Sequence, residues 1–337
     1  MRYIVSFFTF FIVFYGFSLQ AKDEPYYYEQ WALHYNKDFY RKYKIDKNAS
    51  IHSADILTKH NAKGITIAII DDGIDLNHED LKNAIIQYFD ANRTTKCTMK
   101  DKHNFHGTKV IGIIAARKNS KGIMGLASGA NIVFLKYKQN MSSDEFVLLF
   151  QKAIEYGADV INCSFIKFAL TKKAINKINK ITKKARNLKG VPIIFAAGNG
   201  NQNAYFDILK IPQVITVGAT NSKNRRAWYS NFGKNLDIMA PGGNKFGITT
   251  LTSDNLYLRC NQKNRFTGTS AAAAIVTGVI ALMLEKNPTL TAEEIKKILH
   301  ETSDKIGKYS YKNGRNSKYG YGKINLYKIM NCLDTIK

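Results

Sequence analysis

The sequence predicts an α/β fold, with a mostly parallel sheet covered by helices on both faces, on three observations. From about residue 60 onward, short runs rich in Ile, Val and Ala recur with little polar alternation, as expected of strands buried on both sides. Helical patterns fall between these runs, which is what crossovers between parallel strands require. No Pro-rich linker, internal repeat or low-complexity tract divides the 337 residues, so a single large domain is expected.

The elements follow in order. A strand is expected at 65–70 (ITIAII), a helix at 108–116, a strand at 132–137, a helix at 144–156 and a strand at 160–163. A helix over 169–188 sets Leu170, Ala174, Ile178, Ile181, Ala185 and Leu188 at helical spacing and turns its many basic residues outward. Strands follow at 191–197 and 214–217. The segment 271–285 is apolar all round, the pattern of a helix enclosed by the core. The last helix, 292–300, opens with Thr291 and carries Glu294 three residues on, a capping box.

Arg2 precedes a charge-free apolar run from Tyr3 to Leu19, and Lys22, Asp23 and Glu24 follow. This is the layout of a secretory signal peptide over residues 1–21, with Leu19-Gln20-Ala21 as the cleavage site. The run is short for a bilayer span of ~20 residues, and an uncleaved membrane anchor is the alternative. A secreted or periplasmic protein is therefore expected, with its functional domain over 22–337. Cys97, Cys163, Cys260 and Cys332 lie far apart without a C-x-x-C spacing, which argues against a zinc site. Cys163 falls in a strand-like run and is expected as a buried free thiol, and no disulfide is assigned.

Three short segments carry chemistry. Ile69-Ile70-Asp71-Asp72-Gly73 ends a buried strand in carboxylates, and in an open α/β sheet the carboxyl ends of strands form the ligand crevice. His106-Gly107-Thr108 puts a histidine at the start of an apolar helix, where it can serve as a general base once a carboxylate fixes its tautomer. His103 lies three residues earlier, and an ordinary surface residue is the alternative for either histidine. In Phe266-Thr267-Gly268-Thr269-Ser270-Ala271 small residues surround a serine that opens a second apolar helix. A serine hydroxyl needs a positioned base to act as nucleophile, and His106 with Asp71 behind it would supply one.

Read together, these segments resemble the subtilisin-like serine peptidases, whose triad runs in the order Asp, His, Ser, here Asp71, His106 and Ser270. The resemblance extends over about residues 23–335. Ala196-Ala197-Gly198-Asn199-Gly200 resembles the family's oxyanion segment, with Asn199 as side-chain donor. Residues 157–164 resemble the strand that pairs with substrate backbone, which implies Ser164, Phe165, Ile166 and Gly198 as substrate-binding positions. Leu236-Asp237-Ile238-Met239-Ala240-Pro241-Gly242 resembles the segment packed behind the site, and Gln30-Trp31-Ala32-Leu33 the start of the mature domain. The implied fold is three-layered and the implied reaction is hydrolysis of peptide bonds through an acyl-enzyme. Asp71-Asp72-Gly73 and the Gly268–Ala273 run lean toward the kexin branch, but the chain ends at Lys337 without that branch's further domain. The stretch after Ser164, Phe165-Ile166-Lys167, supplies no carboxylate to support dibasic specificity.

The chain also departs from the family pattern. Ile166 stands where Gly is usual, so the pocket for the residue before the scissile bond is expected to be narrowed. Lys109 replaces a common second His, and Ala274 a common Pro. The family's structural calcium site is matched in position by Asp80 and the loop 117–123, with Asn119 and the carbonyls of Arg117, Lys121 and Ile123 as oxygen donors. Arg117, Lys118 and Lys121 bring opposing charge. The chemistry itself requires no cofactor. Little chain separates Ala21 from Gln30, so folding without a separate prodomain is expected.

The composition is otherwise ordinary except for charge, with 50 Lys+Arg against 26 Asp+Glu and a formal +24. Residues 167–189 contain no acidic residue, and a second basic stretch, 305–323, interleaves Tyr309, Tyr311, Tyr319 and Tyr321. No nucleic-acid motif accompanies them, so nucleic acid is not expected as a partner. The expected partners are a protein or peptide substrate and an anionic envelope surface. The implied function is an exported serine endopeptidase; the alternatives are a processing peptidase of narrow specificity and a non-catalytic binding protein on the same scaffold.

Overall fold

The alternation of apolar runs and helices builds a parallel sheet of seven strands, in the order β2-β3-β1-β4-β5-β6-β7. The strands are β1 (Thr66–Asp71), β2 (Ile85–Asp90), β3 (Asn131–Lys136), β4 (Val160–Cys163), β5 (Ile193–Ala196), β6 (Val214–Thr220) and β7 (Ile238–Pro241). The helices are α1 (Lys37–Tyr43), α2 (His106–Ala115), α3 (Ser143–Glu155), α4 (Lys172–Lys184), α5 (Thr269–Lys286), α6 (Ala292–Thr302) and α7 (Leu326–Thr335). A short antiparallel hairpin, β8 (Thr250–Thr252) with β9 (Leu256–Leu258), lies apart from the sheet. The computed structural model describes residues 24–91, 105–166 and 169–336. Residues 1–21, expected as a signal peptide, and Cys97, His103 and Lys167 lie outside the described residues.

The absence of alternation in the strands has its cause in two cores. Ile67 and Ile69 of β1 face one, with α2, α5, α6 and α7 around it. Ala68 and Ile70 face the other, which α3 and α4 complete. Both faces of the sheet are thus apolar, and the fold has the three layers expected. Helix α5 runs against β4, β5, β6 and β7, and every residue from Thr269 to Leu284 is buried. That enclosure explains its all-round apolar composition without any membrane.

Three differences from expectation have physical reasons. Helix α4 ends at Lys184, short of the expected 188, because Arg186, Asn187 and Leu188 all take positive φ. Its start is set by the Thr171 side chain, which accepts from the Ala174 N–H. Strand β2 was not expected. It lies at the sheet edge with Ile86 and Gln87 exposed, so its sequence, IIQYFD, lacks the run of a strand covered on both sides. Strand β7, at the opposite edge, has four residues and ends in Pro241.

The topology fixes where a site can form. Beyond β1 the chain crosses toward the β2 edge, and beyond β4 it proceeds toward β7. The carboxyl ends of these adjacent strands therefore flank a switch point, where a crevice opens. Asp71 and Ser164 stand on its two sides.

Candidate active site

Asp71 closes β1 and is fully enclosed. Its Oδ1 accepts the Asp72 N–H at 2.8 Å and meets His106 Nδ1 at 2.8 Å. His106 is the first residue of α2, with 31% of its side chain exposed. Gly107 packs so tightly beneath it that a Cβ would lie 2.3 Å from the Gly73 carbonyl, which brings α2 against the end of β1. Burial alone would lower the affinity of the imidazole for a proton. The Asp71 charge and hydrogen bond, with Asp72 adding to them, outweigh that effect and raise its pKa. Asp72 is itself pushed up, first by burial and then by the Asp71 charge.

Ser270 lies in the first turn of α5. Gly268 precedes it at φ +147, and a Cβ there would stand 3.3 Å from Asn199 Nδ2. Glycine thus permits both the sharp entry into the helix and the approach of Asn199. The Ser270 hydroxyl donates to the Ser164 carbonyl at 2.7 Å and, among the described residues, not to His106. Ser164 is held in turn, its hydroxyl donating to Asn162 Oδ1 at 2.9 Å, while Asn162 Nδ2 donates to Thr277 Oγ1 of α5 at 2.8 Å. A row of side-chain hydrogen bonds therefore ties the end of β4 to the helix that carries Ser270.

Asn199 accepts the Thr269 N–H and hydroxyl through Oδ1, both at 2.9 Å. Its oxygen is thus fixed on α5, and its amide nitrogen donates no hydrogen bond among the described residues. Asn231 is a site residue that sequence reasoning missed. It is buried, its Oδ1 accepts the N–H groups of Gly200 and Gln202 at 3.0 Å, and its Nδ2 donates to the Ala197 carbonyl at 2.8 Å. It holds the backbone on both sides of Asn199. Nothing in its sequence surroundings, Ser230-Asn231-Phe232, marks that role.

The expected substrate positions are brought together on one wall. The Ile166 side chain lies over Gly198, where a Cβ would meet Ile166 Cδ1 at 2.5 Å. The Phe165 ring turns inward against Tyr137, with centroids 4.8 Å apart, and against Phe146 and Phe195. A cavity of about 160 Å³ opens beside it, lined by Tyr137, Met141, Phe146, Phe165 and Ile166 among others. A larger cavity, about 750 Å³, lies between α4 and α6, with Gly190 and Gln213 at the opposite ends of the strands in its lining and none of Asp71, His106 and Ser270. Volume therefore does not mark the site here; the Asp71–His106 pair on one side of the crevice and the Ser270 hydroxyl on the Ser164 carbonyl at the other do.

The loop after α2 meets Asp80 as expected. Asp80 is buried and its Oδ1 accepts from Asn119 Nδ2 at 2.9 Å and the Tyr257 hydroxyl at 3.0 Å. Its Oδ2 is buried without a partner among the described residues. Asn119 faces Asp80 with its amide nitrogen, its oxygen accepting the Lys121 N–H at 3.0 Å. The opposing charges are turned aside, with the Arg117 guanidinium on the carbonyls of Ser128 and Asn83 and the Lys121 ammonium on Glu79.

Residues 62–322 match the model of the subtilase family of peptidases. The chain belongs to the subtilase family. Subtilisin DY of Bacillus licheniformis is 31% identical over 285 residues, covering 81% of this chain and 94% of that protein. A calcium-dependent protease of Trichormus variabilis is 31% identical over 325 residues, 85% of this chain and 48% of that protein. This subtilase thus spans about half the length of that relative. A protease structure from Pseudoalteromonas arctica shares the fold, with a TM-score of 0.72 at 23% identity over 92% of this chain and 99% of the other. The seven-stranded parallel sheet is the subtilase architecture, and Asp71, His106 and Ser270 fall in it at the crevice.

Proposed function

We propose that this subtilase is a serine endopeptidase acting on protein or peptide substrates. The observation that carries the proposal is the enclosed Asp71 carboxylate holding His106 Nδ1 at 2.8 Å, which leaves Nε2 to work as base. The Ser270 hydroxyl leaves the Ser164 carbonyl by rotating about Cα–Cβ and passes its proton to Nε2 as Oγ bonds to the scissile carbonyl carbon. The Asn199 amide and the Ser270 N–H receive the oxyanion. As the C–N bond breaks, the imidazolium returns the proton to the departing amine. Water then hydrolyses the acyl-enzyme by the same base. A fluorophosphonate probe should label the wild-type protein and not Ser270→Ala. A folded wild-type protein that stays unlabelled would leave only a binding role for the scaffold.

A narrower version is favoured by Ile166. The residue bearing the scissile carbonyl must place its side chain near Asn199 and Ser270, and Ile166 fills the space over Gly198. Small residues are therefore preferred before the cut, as in a processing peptidase for few partners. On a peptide library, Ile166→Gly should extend cleavage to large apolar residues at that position. An unchanged profile would refute the role of Ile166.

Calcium would serve structure, not chemistry. The buried orphan oxygen of Asp80 suits a cation, and among the described residues the carbonyls of Arg117, Lys121 and Ile123 accept no hydrogen bond. Asp80 and these carbonyls would hold the ion, and Asn119 would join them once its amide turns over. The calcium-dependent relative adds weight to this reading. Export rests on the sequence of residues 1–21. Attraction to an anionic envelope surface rests on the lysines of α4.

A further inference from the structure

One carboxylate outside the triad is satisfied to an unusual degree. Glu24 is 2% exposed. Its Oε1 accepts the N–H groups of Asn119 and Ser120 at 2.6 and 2.8 Å, and its Oε2 those of Lys121 and Gly122, both at 3.1 Å. Four successive backbone donors thus converge on a single side chain from the amino-terminal segment, 95 residues before Asn119. Ser120, at φ +64, supplies the left-handed residue that curls the loop around it, so the backbone forms a concave nest for an anion. Neighbouring contacts seat the segment that follows Glu24: Tyr26 N–H donates to the Gly122 carbonyl at 2.8 Å, and the Gln30 amide pairs with Met124 backbone in both directions. On the outer side Tyr257 reaches Asp80, and its ring occupies the space a Cβ on Gly122 would need.

We propose that Glu24 is the internal anion that sets the conformation of loop 119–122, and that it thereby orients the carbonyls that would face a cation. The peptide plane supplies the link. In a trans peptide the N–H of one residue and the C=O of the residue before it point in opposite directions. With the Gly122 N–H fixed on Glu24, the Lys121 carbonyl is turned away from Glu24. The loop directly follows α2, whose other end carries His106, so its order also holds the far end of that helix. A carboxylate supplies acceptors on both oxygens and a full charge, which the neutral amide of glutamine does not. The effect on calcium rests on the calcium reading given above; the effect on the loop does not.

The test uses full-length protein in the Ser270→Ala background, which prevents self-cleavage, and compares Glu24 with Glu24→Gln. In chelator, hydrogen exchange of the amides of Asn119 to Gly122 should be at least tenfold faster in the variant. Equal exchange in the two proteins overturns the proposal. Calcium titration by calorimetry should show at least tenfold weaker binding to the variant; equal affinity refutes the orienting role. If the wild-type protein takes up no calcium, the calcium reading fails while the exchange contrast still decides the role of Glu24. Should Glu24→Gln not fold, the wild-type protein alone remains decisive, since rapid exchange of those four amides in it is incompatible with the clamp.

Discussion

The two oxygens of Asp71 are not equivalent. Oδ1 takes both His106 and the Asp72 N–H, while Oδ2 is buried with no partner among the described residues. His106 gains its raised pKa against the effect of burial, through the Asp71 charge and hydrogen bond. The base must be neutral to accept the Ser270 proton, so kcat/KM should rise with pH through a midpoint above the ordinary imidazole value of about 6.5. Removing the charge in Asp71→Asn leaves burial as the main influence. The limb should move to lower pH as turnover falls on the order of 10⁴-fold, and an unmoved limb would contradict the coupling. Because folded His106 holds its proton more tightly than the unfolded chain does, the pair adds stability below about pH 6.5. That contribution fades as pH rises through the folded pKa. Asp71, His106 and Ser270 were legible as candidates because Asp71 ends an apolar run, and His106 and Ser270 each stand at a helix start among small residues. Asn231 was not, since its hydrogen bonds go to backbone that only folding brings near.

Elements enclosed on both faces announced themselves in the sequence, and those at the margins did not. Strands β1, β4, β5 and β6 lie inside the sheet and read as unbroken apolar runs. Edge strand β2 and the hairpin β8–β9 answer to a single neighbour each, so their composition is mixed. Helix α7 did carry a signal, with Leu326, Ile329, Met330 and Leu333 buried on one face and Asn325 capping its start through the Lys328 N–H. What no pattern could reveal is the coupling between elements, such as the contact of β4 with α5 through Asn162 and Thr277. Thr277→Val keeps the volume but leaves the buried Asn162 amide without its acceptor, a loss of about 1–3 kcal/mol. Chemical denaturation should register that loss as a lower midpoint, and turnover should fall because Ser164 follows Asn162. A variant as stable and as active as wild type would mean that the row of hydrogen bonds is not what holds the crevice.

Across the whole molecule, the formal +24 divides into charge used by the fold and charge left to solvent. In the carboxy-terminal region Lys323 is fully buried, its ammonium on the carbonyls of Asn48 and Ser50 and its pKa pushed down to about 8 by burial. Lys305 donates to the carbonyls of Gly314 and Tyr321, Arg315 to those of Gly233 and Leu236, and Tyr321 stacks on His300 at 3.7 Å. These tyrosines and cations therefore mostly serve packing. Helix α4 differs. Lys172, Lys173, Lys177, Lys180, Lys183 and Lys184 are all exposed, and among the described residues none pairs with a carboxylate. Lys173 with Lys177 and Lys180 with Lys184 are like-charge neighbours one turn apart, an arrangement that weakens a helix. The buried Ala174, Ile178 and Thr182 hold it in place. An anionic surface would relieve that repulsion, each lysine contributing about 1 kcal/mol near such a membrane. Vesicles rich in phosphatidylglycerol should therefore sediment the protein at low salt, with binding falling as salt rises. Replacing Lys173, Lys177, Lys180 and Lys184 by Glu should abolish the binding while fluorophosphonate labelling of Ser270 persists, because α4 lies on the opposite face of the sheet from α5. Equal sedimentation of the variant would move the interaction to another surface, and sedimentation with purely zwitterionic vesicles would show that charge is not its cause.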